Sequence, residues 1–168
     1  PYSWIKEHVR TKLSPEEFAA RLSLSGPSVD RWHKMGELLE GVVVGEVRAI
    51  EAHPNADKLR IVKTRVGKNE ITIVCGGTNV RAGMKVAVAQ VGSRVKWHGE
   101  GEPVVLTKTA IRGVTSEGMI CAANEIGLFE AFPHQEREIL DLSFVTATPG
   151  TPVREALELD DTVFEIEV

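Results

Sequence analysis

The amino-acid sequence predicts an α+β protein whose centre is a small closed β-barrel. Between residues 41 and 127, short β-branched runs alternate with glycine-rich turns, which indicates a barrel or sandwich rather than alternating strands and helices. Helix start signals lie near both ends of the chain. The chain has 168 residues, 42% of them hydrophobic. A chain of that length can bury a core without a disulfide or a metal.

The N-terminal segment, residues 1–28, is predicted to be helical because its apolar residues fall near helical spacing. A second helix is expected to begin after Ser14, the N-cap, with Glu17 completing a capping box. Gly26-Pro27 ends that helix, since proline disfavours helical backbone in the residue before it. A short strand is predicted at Val29–Lys34.

Five strands are predicted in the middle of the chain, and five short strands in this length indicate an OB-fold, the oligonucleotide/oligosaccharide-binding barrel. Gly45 interrupts the first of them and predicts a bulge or sharp coil there. A hairpin turn at Gly67–Glu70 joins the second and third. The strands are Val42–Ile50, Leu59–Val66, Ile71–Cys75, Val86–Val91 and Val104–Arg112.

The C-terminal segment leaves the barrel after residue 128. A strand is predicted at Glu138–Leu142 and a helix after Thr151, with Thr151 as N-cap and Pro152 in the first helical position. Thr162–Val168 alternates polar and apolar residues and predicts a final strand.

Composition excludes several classes of protein. No apolar run reaches the roughly 18 residues of a membrane span, and the charged N-terminus is unlike a signal peptide. Cys75 and Cys121 lie far apart without a C-x-x-C motif, so we expect a reducing, cytoplasmic location. The five histidines form no metal-ligand pattern, and no metal site is expected.

Charge is unevenly distributed although the net charge is −4. Residues 41–127 hold 12 basic and 8 acidic side chains, whereas residues 128–168 hold 2 and 10. A mildly basic barrel can still meet a polyanion if the acidic segment points elsewhere.

Two motifs are each open to a structural or a functional interpretation. HPNADKL at 53–59 is either a well-made loop or the entrance to a binding face with Lys58. VCGGTN at 74–79 lacks the lysine and helix of a phosphate-binding P-loop. Cys75 is expected to be a buried structural thiol rather than a nucleophile.

Two further segments, each with a candidate chemical side chain, are also expected to be structural. RGVTSEGM at 112–119 is expected to be a tight turn, since Ser116 lacks the G-x-S-x-G context of a hydrolase. Trp97 is expected to pack against the barrel rim, with base stacking as the alternative.

These motifs carry a resemblance to a known family. HPNADKL, VCGGTN, GMKVAV at 83–88 and RGVTSEGM, in that order, resemble the tRNA-binding OB domain of synthetase-associated proteins. PYSWIKEHV at 1–9, LSPEEFAARLSLSG at 13–26 and GTPVREALELDDTVFEIEV at 150–168 resemble the N-terminal region of the bacterial phenylalanine–tRNA ligase β subunit. Residues 93–103 and 129–137 depart from the family pattern.

The resemblance implies a split architecture and a supporting role in an enzyme. The OB barrel, residues 41–149, would be inserted into a small discontinuous α/β domain formed by residues 1–40 and 150–168. The chain would be a non-catalytic fragment that supports tRNA aminoacylation. Its partners would be tRNA and, through the full-length β subunit, the α subunit. It would hold no cofactor of its own, because ATP and magnesium act on the α subunit in that family.

Candidate site residues follow from strand parity and the motifs. Lys63 and Arg65 share one strand face, and Lys108 and Arg112 share another. With Lys58 and Ser116 they are the predicted RNA-binding residues, with weak affinity of about 10⁻⁴–10⁻⁶ M. The predicted structural residues of the motifs are His53, Asn55, Asp57, Cys75, Asn79, Gly118 and Met119.

Two other functions stay open at this point. A free-standing, dimeric tRNA-binding accessory protein would carry the same barrel motifs. An enzyme with its own small-molecule site at Cys75 or Ser116 would need a base beside the nucleophile, and the sequence shows no such pair.

Overall fold

The computed structural model describes residues 1–167 of the chain. Within that range no helix is long and apolar enough to cross a membrane. The chain forms two compact units, residues 1–35 with the described residues from Glu158 onward, and residues 36–157. The helices are α1 (Tyr2–His8), α2 (Pro15–Ser25) and α3 (Val153–Ala156). The strands are β1 (Ser28–Lys34), β2 (Val42–Ala52), β3 (Arg60–Val66), β4 (Asn69–Cys75), β5 (Lys85–Gln90), β6 (Arg94–Val95), β7 (Val104–Val105), β8 (Thr109–Ile111), β9 (Val114–Ser116), β10 (Gly118–Ile120) and β11 (Thr162–Glu167).

The first unit packs α1 and α2 with an antiparallel pair of strands, β1 and β11. The rings of Tyr2, Phe18 and Phe164 form its aromatic core, with centroids 5.4–5.8 Å apart. The predicted capping box starts α2. The Ser14 hydroxyl accepts from the Glu17 N–H at 3.2 Å, and the Glu17 carboxylate accepts from the Ser14 N–H at 2.7 Å.

The second unit is a five-stranded antiparallel barrel with strand order β10-β5-β2-β3-β4. Two contacts close the barrel by bringing the chain before β10 against β4. The Val74 N–H donates to the Ser116 hydroxyl at 3.0 Å, and the Glu117 N–H donates to the Thr72 carbonyl at 2.8 Å. This arrangement is the predicted OB-fold. Its buried aliphatic core includes Val47, Val62, Ile73, Met84, Val86, Val88 and Ile120.

Strand β2 serves both sides of the barrel, since it pairs first with β5 and then with β3. Its register shifts between Val47 and Ala49, so the predicted distortion at Gly45 is misplaced by a few residues. Gly45 keeps regular pairing and allows close packing. A Cβ at this position would lie 2.6 Å from a methyl of Val88 and 2.8 Å from that of Thr64.

The predicted fifth strand at Val104–Arg112 is wrong. That segment contains β7 and β8, which pair with β6 and β9 outside the barrel sheet. The fifth barrel strand is β10, which pairs with β5. A three-residue strand is too short to show an alternating pattern, so the sequence contains no signal for it.

Two predicted C-terminal elements also differ from those in the structure. Glu138–Leu142 forms no strand and makes one isolated bridge, between Asp141 and Val86. Helix α3 begins at Val153 rather than Pro152, because Pro152 has extended backbone (φ −55°, ψ 134°) and occupies the N-cap position.

Candidate nucleic-acid interface

The loop at residues 53–59 is held against the turn between β8 and β9. The buried His53 ring accepts the Asn55 N–H at Nδ1 (3.1 Å), so Nε2 carries the proton and donates to the Ile111 carbonyl at 3.0 Å. The Asn55 side-chain amide donates to the Arg112 carbonyl at 3.0 Å. These contacts bring Lys58 and Arg112, both exposed, to the same end of the barrel.

Four further hydrogen bonds add the segment around residue 137 to this end. The Arg137 guanidinium donates to the carbonyls of Gly76 (2.9 Å) and Lys58 (3.2 Å). The Asn79 side chain donates to and accepts from the backbone of Ile139, at 3.0 and 2.9 Å. Arg137 was absent from the sequence-based site. It lies 79 residues from Lys58, and no local pattern marks it.

Lys58, Arg60, Arg112 and Arg137 form what we call the cation end of the barrel. Among the described residues, none of these four makes a salt bridge with a carboxylate within 4.0 Å. Asp57 is exposed in the same loop. Cations without carboxylate partners are the type of group that releases counterions when it meets phosphates.

The predicted basic face of β3 has a different electrostatic character. Arg65 makes a salt bridge of 2.7 Å with Glu46, and Lys108 makes one of 2.9 Å with Glu117. The Lys63 ammonium donates to the Thr72 hydroxyl at 2.8 Å. Strand pairing places four cations and four carboxylates on this outer face, which is therefore neutral: Arg48, Lys63, Arg65 and Lys108 against Glu46, Glu51, Glu70 and Glu117.

The Glu117 carboxylate belongs to this neutral network. A hydrogen bond from Lys108, together with one from the Thr72 N–H, lowers the pKa of Glu117. Lys63 and Lys108 thus face a carboxylate that stays ionised at neutral pH, which weakens their attraction for phosphate.

The Ser116 side chain lies inside the barrel rather than on its surface. It is buried, and its hydroxyl accepts from Val74 and donates to the Gly118 carbonyl at 2.9 Å. Gly118 is the first residue of β10, and a Cβ at this position would lie 3.0 Å from the carbonyl oxygen of Ala89. Ala89 is the β5 residue that pairs with Met119. Ser116 therefore contributes to barrel closure, and its buried hydroxyl is not part of the exposed basic surface.

Both cysteines are buried thiols. Burial raises the pKa of Cys75, whose sulfur accepts the Gly77 N–H at 3.3 Å, and burial raises that of Cys121 as well. A protonated, enclosed thiol is a poor nucleophile. This environment gives no support to a catalytic role for Cys75.

Trp97 is 55% exposed, which is more than the predicted packing against the barrel rim implies. Its ring lies edge-to-face with that of His98, at a centroid distance of 5.5 Å. The backbone at His98 is left-handed (φ 54°).

Residues 42–150 match the family model described as "Putative tRNA binding domain". This match covers the whole barrel with the loops of the cation end. The chain belongs to the tRNA-binding domain family. A solved structure, the C-terminal domain of Plasmodium vivax p43, is 26% identical over 47% of this chain and 43% of its own, with a TM-score of 0.36. The fold assignment rests on the strand order instead.

Curated relatives extend the likeness beyond the barrel. Phenylalanine–tRNA ligase β subunits of Coxiella burnetii and Synechococcus are 42% and 41% identical over 98% and 99% of this chain, and that of Neisseria meningitidis is 36% identical over 99%. The chain spans about one fifth of the length of each. This tRNA-binding domain is therefore homologous to the N-terminal part of those subunits. The likeness includes both flanks, which favours that relationship over a free-standing accessory protein.

Proposed function

We propose that the tRNA-binding domain meets the tRNA phosphate backbone with the cation end of its barrel. The observation that carries this proposal is the contrast between two sets of cations. Among residues 1–167, Lys58 and Arg112 have no carboxylate within 4.0 Å, whereas Arg65 and Lys108 are in salt bridges of 2.7 and 2.9 Å. Contacts of this kind are sequence-independent and sensitive to salt.

The test is tRNA binding by this chain across a salt series. A Lys58→Ala, Arg112→Ala double variant is expected to weaken binding and to reduce the slope of log K against log salt by about 0.7–0.9 per lost contact. The matched comparison is Lys63→Ala, Arg65→Ala, which removes the same charge from the neutral outer face. A larger loss in that second variant would move the interface to the outer face and contradict the proposal.

We further propose that the domain serves a phenylalanine–tRNA ligase, as part of a β subunit that assembles with an α subunit in the cytoplasm. The support is the identity of 36–42% across both flanks as well as the barrel. In this role the domain holds tRNA and takes no part in the bond-forming step. ATP and magnesium would act elsewhere in the enzyme.

That assignment is tested by expressing the full-length β subunit that contains this domain together with an α subunit. Co-purification and phenylalanine-dependent aminoacylation are the expected results. The Lys58→Ala, Arg112→Ala variant should raise the KM for tRNA with little change in kcat, because a binding contact that is equal in the ground and transition states affects KM alone. A fall in kcat at saturating tRNA would contradict the supporting role.

A further inference from the structure

The two segments that depart from the family pattern meet at one place on the barrel. The Asn124 side-chain amide donates to the His98 carbonyl at 3.0 Å, and the Asn124 N–H contacts His134 Nε2 at 3.5 Å. Gly99 packs so closely on the Asn124 amide that no Cβ would fit between them. Residues 93–103 and 129–137 are thereby held on the same surface by a single short turn, Ala123–Ile126.

The surface that results is aromatic. Trp97 is 55% exposed and Phe129 is 48% exposed. An imidazole supports each ring edge-on, His98 beside Trp97 at 5.5 Å and His134 beside Phe129 at 5.4 Å. We call Trp97, His98, Phe129 and His134 the aromatic surface.

The base of this surface is rigid. The Lys96 N–H donates to the Glu125 carbonyl at 2.8 Å. The Glu125 carboxylate is buried and accepts the Ala122 N–H at 2.7 Å, and burial raises its pKa. Exposed aromatic rings on a fixed backbone cost little conformational entropy when they bind a ligand.

The aromatic surface adjoins the cation end through residues 134–137. His134 contacts Asn124, and Arg137, three residues later, bonds the carbonyls of Lys58 and Gly76. Three residues span at most about 11 Å of extended chain. A single-stranded segment of a few nucleotides is therefore long enough to touch both.

We propose that the aromatic surface stacks unpaired nucleotides of the RNA whose phosphates the cation end binds; this inference rests on the proposed function. Every base has a π-face, so aromatic rings beside a cationic groove are the usual platform for single-stranded nucleic acid. Glu100 and Glu102 lie just after Trp97 in the chain and repel phosphate, so the surface binds bases rather than backbone. In duplex RNA the base faces are already stacked on one another, so the aromatic surface selects unpaired nucleotides.

The experiment compares tRNA binding by Trp97→Ala, Phe129→Ala and Trp4→Ala across a salt series. Trp4 is the matched control, since it is a tryptophan exposed to 66% on α1 of the other unit. The Trp97 and Phe129 variants are expected to bind about tenfold more weakly with an unchanged salt slope, because stacking releases no counterions. Trp97→Phe should restore most of the affinity. A 12-nucleotide single strand should show the same loss, and a 12-base-pair duplex should show none.

A second measurement does not depend on how the alanine variants fold. In a Trp4→Phe, Trp32→Phe chain, Trp97 is the remaining tryptophan, and saturating tRNA should quench its fluorescence. Unchanged fluorescence in a chain that still binds tRNA would overturn the inference while leaving the cation end intact. If the unaltered chain bound no tRNA, the proposed function itself would fail, and the stacking role with it. Loss of α-subunit co-purification from a full-length β subunit carrying Trp97→Ala, with tRNA affinity retained, would assign the surface to a protein contact and overturn the proposal.

Discussion

The side-chain amide of Asn55 donates a 3.0 Å hydrogen bond to the backbone carbonyl of Arg112, 57 residues away in the sequence. This contact joins the loop at 53–59 to the turn between β8 and β9, and both carry cations of the cation end. Asn55→Ala should lower the free energy of unfolding by about 1 kcal/mol, the usual value of one hydrogen bond. It should also weaken tRNA binding, because Lys58 and Arg112 lose their common support. Urea unfolding and a binding titration measure the two effects.

Asn69→Ala is a matched control for that prediction. Asn69 is exposed at the start of β4, away from the cation end. Equal losses of tRNA affinity in the two variants would show that the Asn55 contact has no specific role.

The Ser116 hydroxyl is predicted to be a stability determinant of the barrel. Ser116→Ala leaves the Val74 N–H without its acceptor and the Gly118 carbonyl without its donor, and a buried unpaired group costs about 1–3 kcal/mol. Ser93→Ala is the matched control, since Ser93 is buried to the same degree and its hydroxyl has no hydrogen-bond partner among the described residues. Thermal unfolding should show a clear loss of Tm for Ser116→Ala and little change for Ser93→Ala. The reverse order would contradict this view of barrel closure.

The neutral outer face is predicted to weaken RNA binding. Glu46 pairs with both Arg48 (3.2 Å) and Arg65 (2.7 Å), so Glu46→Gln releases two cations at once. Affinity for tRNA and the magnitude of the salt slope should both rise, because more phosphates can then be neutralised. Glu70→Gln removes the same charge from the same face, and Glu70 makes no salt bridge with any residue between 1 and 167. This variant should therefore have the smaller effect. Equal effects would show that net charge alone matters.

Stability is predicted to depend on pH through Glu117. Its pKa in the folded state lies below the ordinary value of 4.5 because Lys108 donates to it. Its contribution is therefore present above about pH 4.5 and is lost as pH falls through the lower folded value. Glu117→Gln should flatten the fall in unfolding free energy below pH 4.5 and leave its slope near pH 7 unchanged. Urea unfolding at several pH values tests this, and an unchanged acid slope would mean that Glu117 is not coupled to folding.

The features that sequence reasoning predicted correctly are local or strongly patterned. The capping box at Ser14 depends on residues three apart, and it forms as predicted. The strands β2 to β5 are long enough to show β-branched runs between turns. The short strand β10 has no sequence signal, because it is defined by pairing with β5, and the strand predicted at Glu138–Leu142 forms only one isolated bridge to Val86.

The candidate site shows the same contrast between local sequence patterns and contacts made by distant residues. The motif containing Lys58 was recognisable as a loop from its turn residues. Arg137 could not be found, since its hydrogen bonds go to backbone carbonyls of residues far away in the sequence. The sequence predicts Ser116 among the RNA-binding residues, but barrel closure buries its hydroxyl.

The sequence by itself determined the OB barrel, the start of α2 and the order of the family's motifs, because these depend on side-chain periodicity and short-range chemistry. Tertiary structure alone decided which cations are available to a polyanion. A cation's availability depends on the carboxylate nearest in space. Strand register brings Glu46 to Arg65 and Glu117 to Lys108, but in the part of the chain that the structure describes it brings no carboxylate to Lys58 or Arg112.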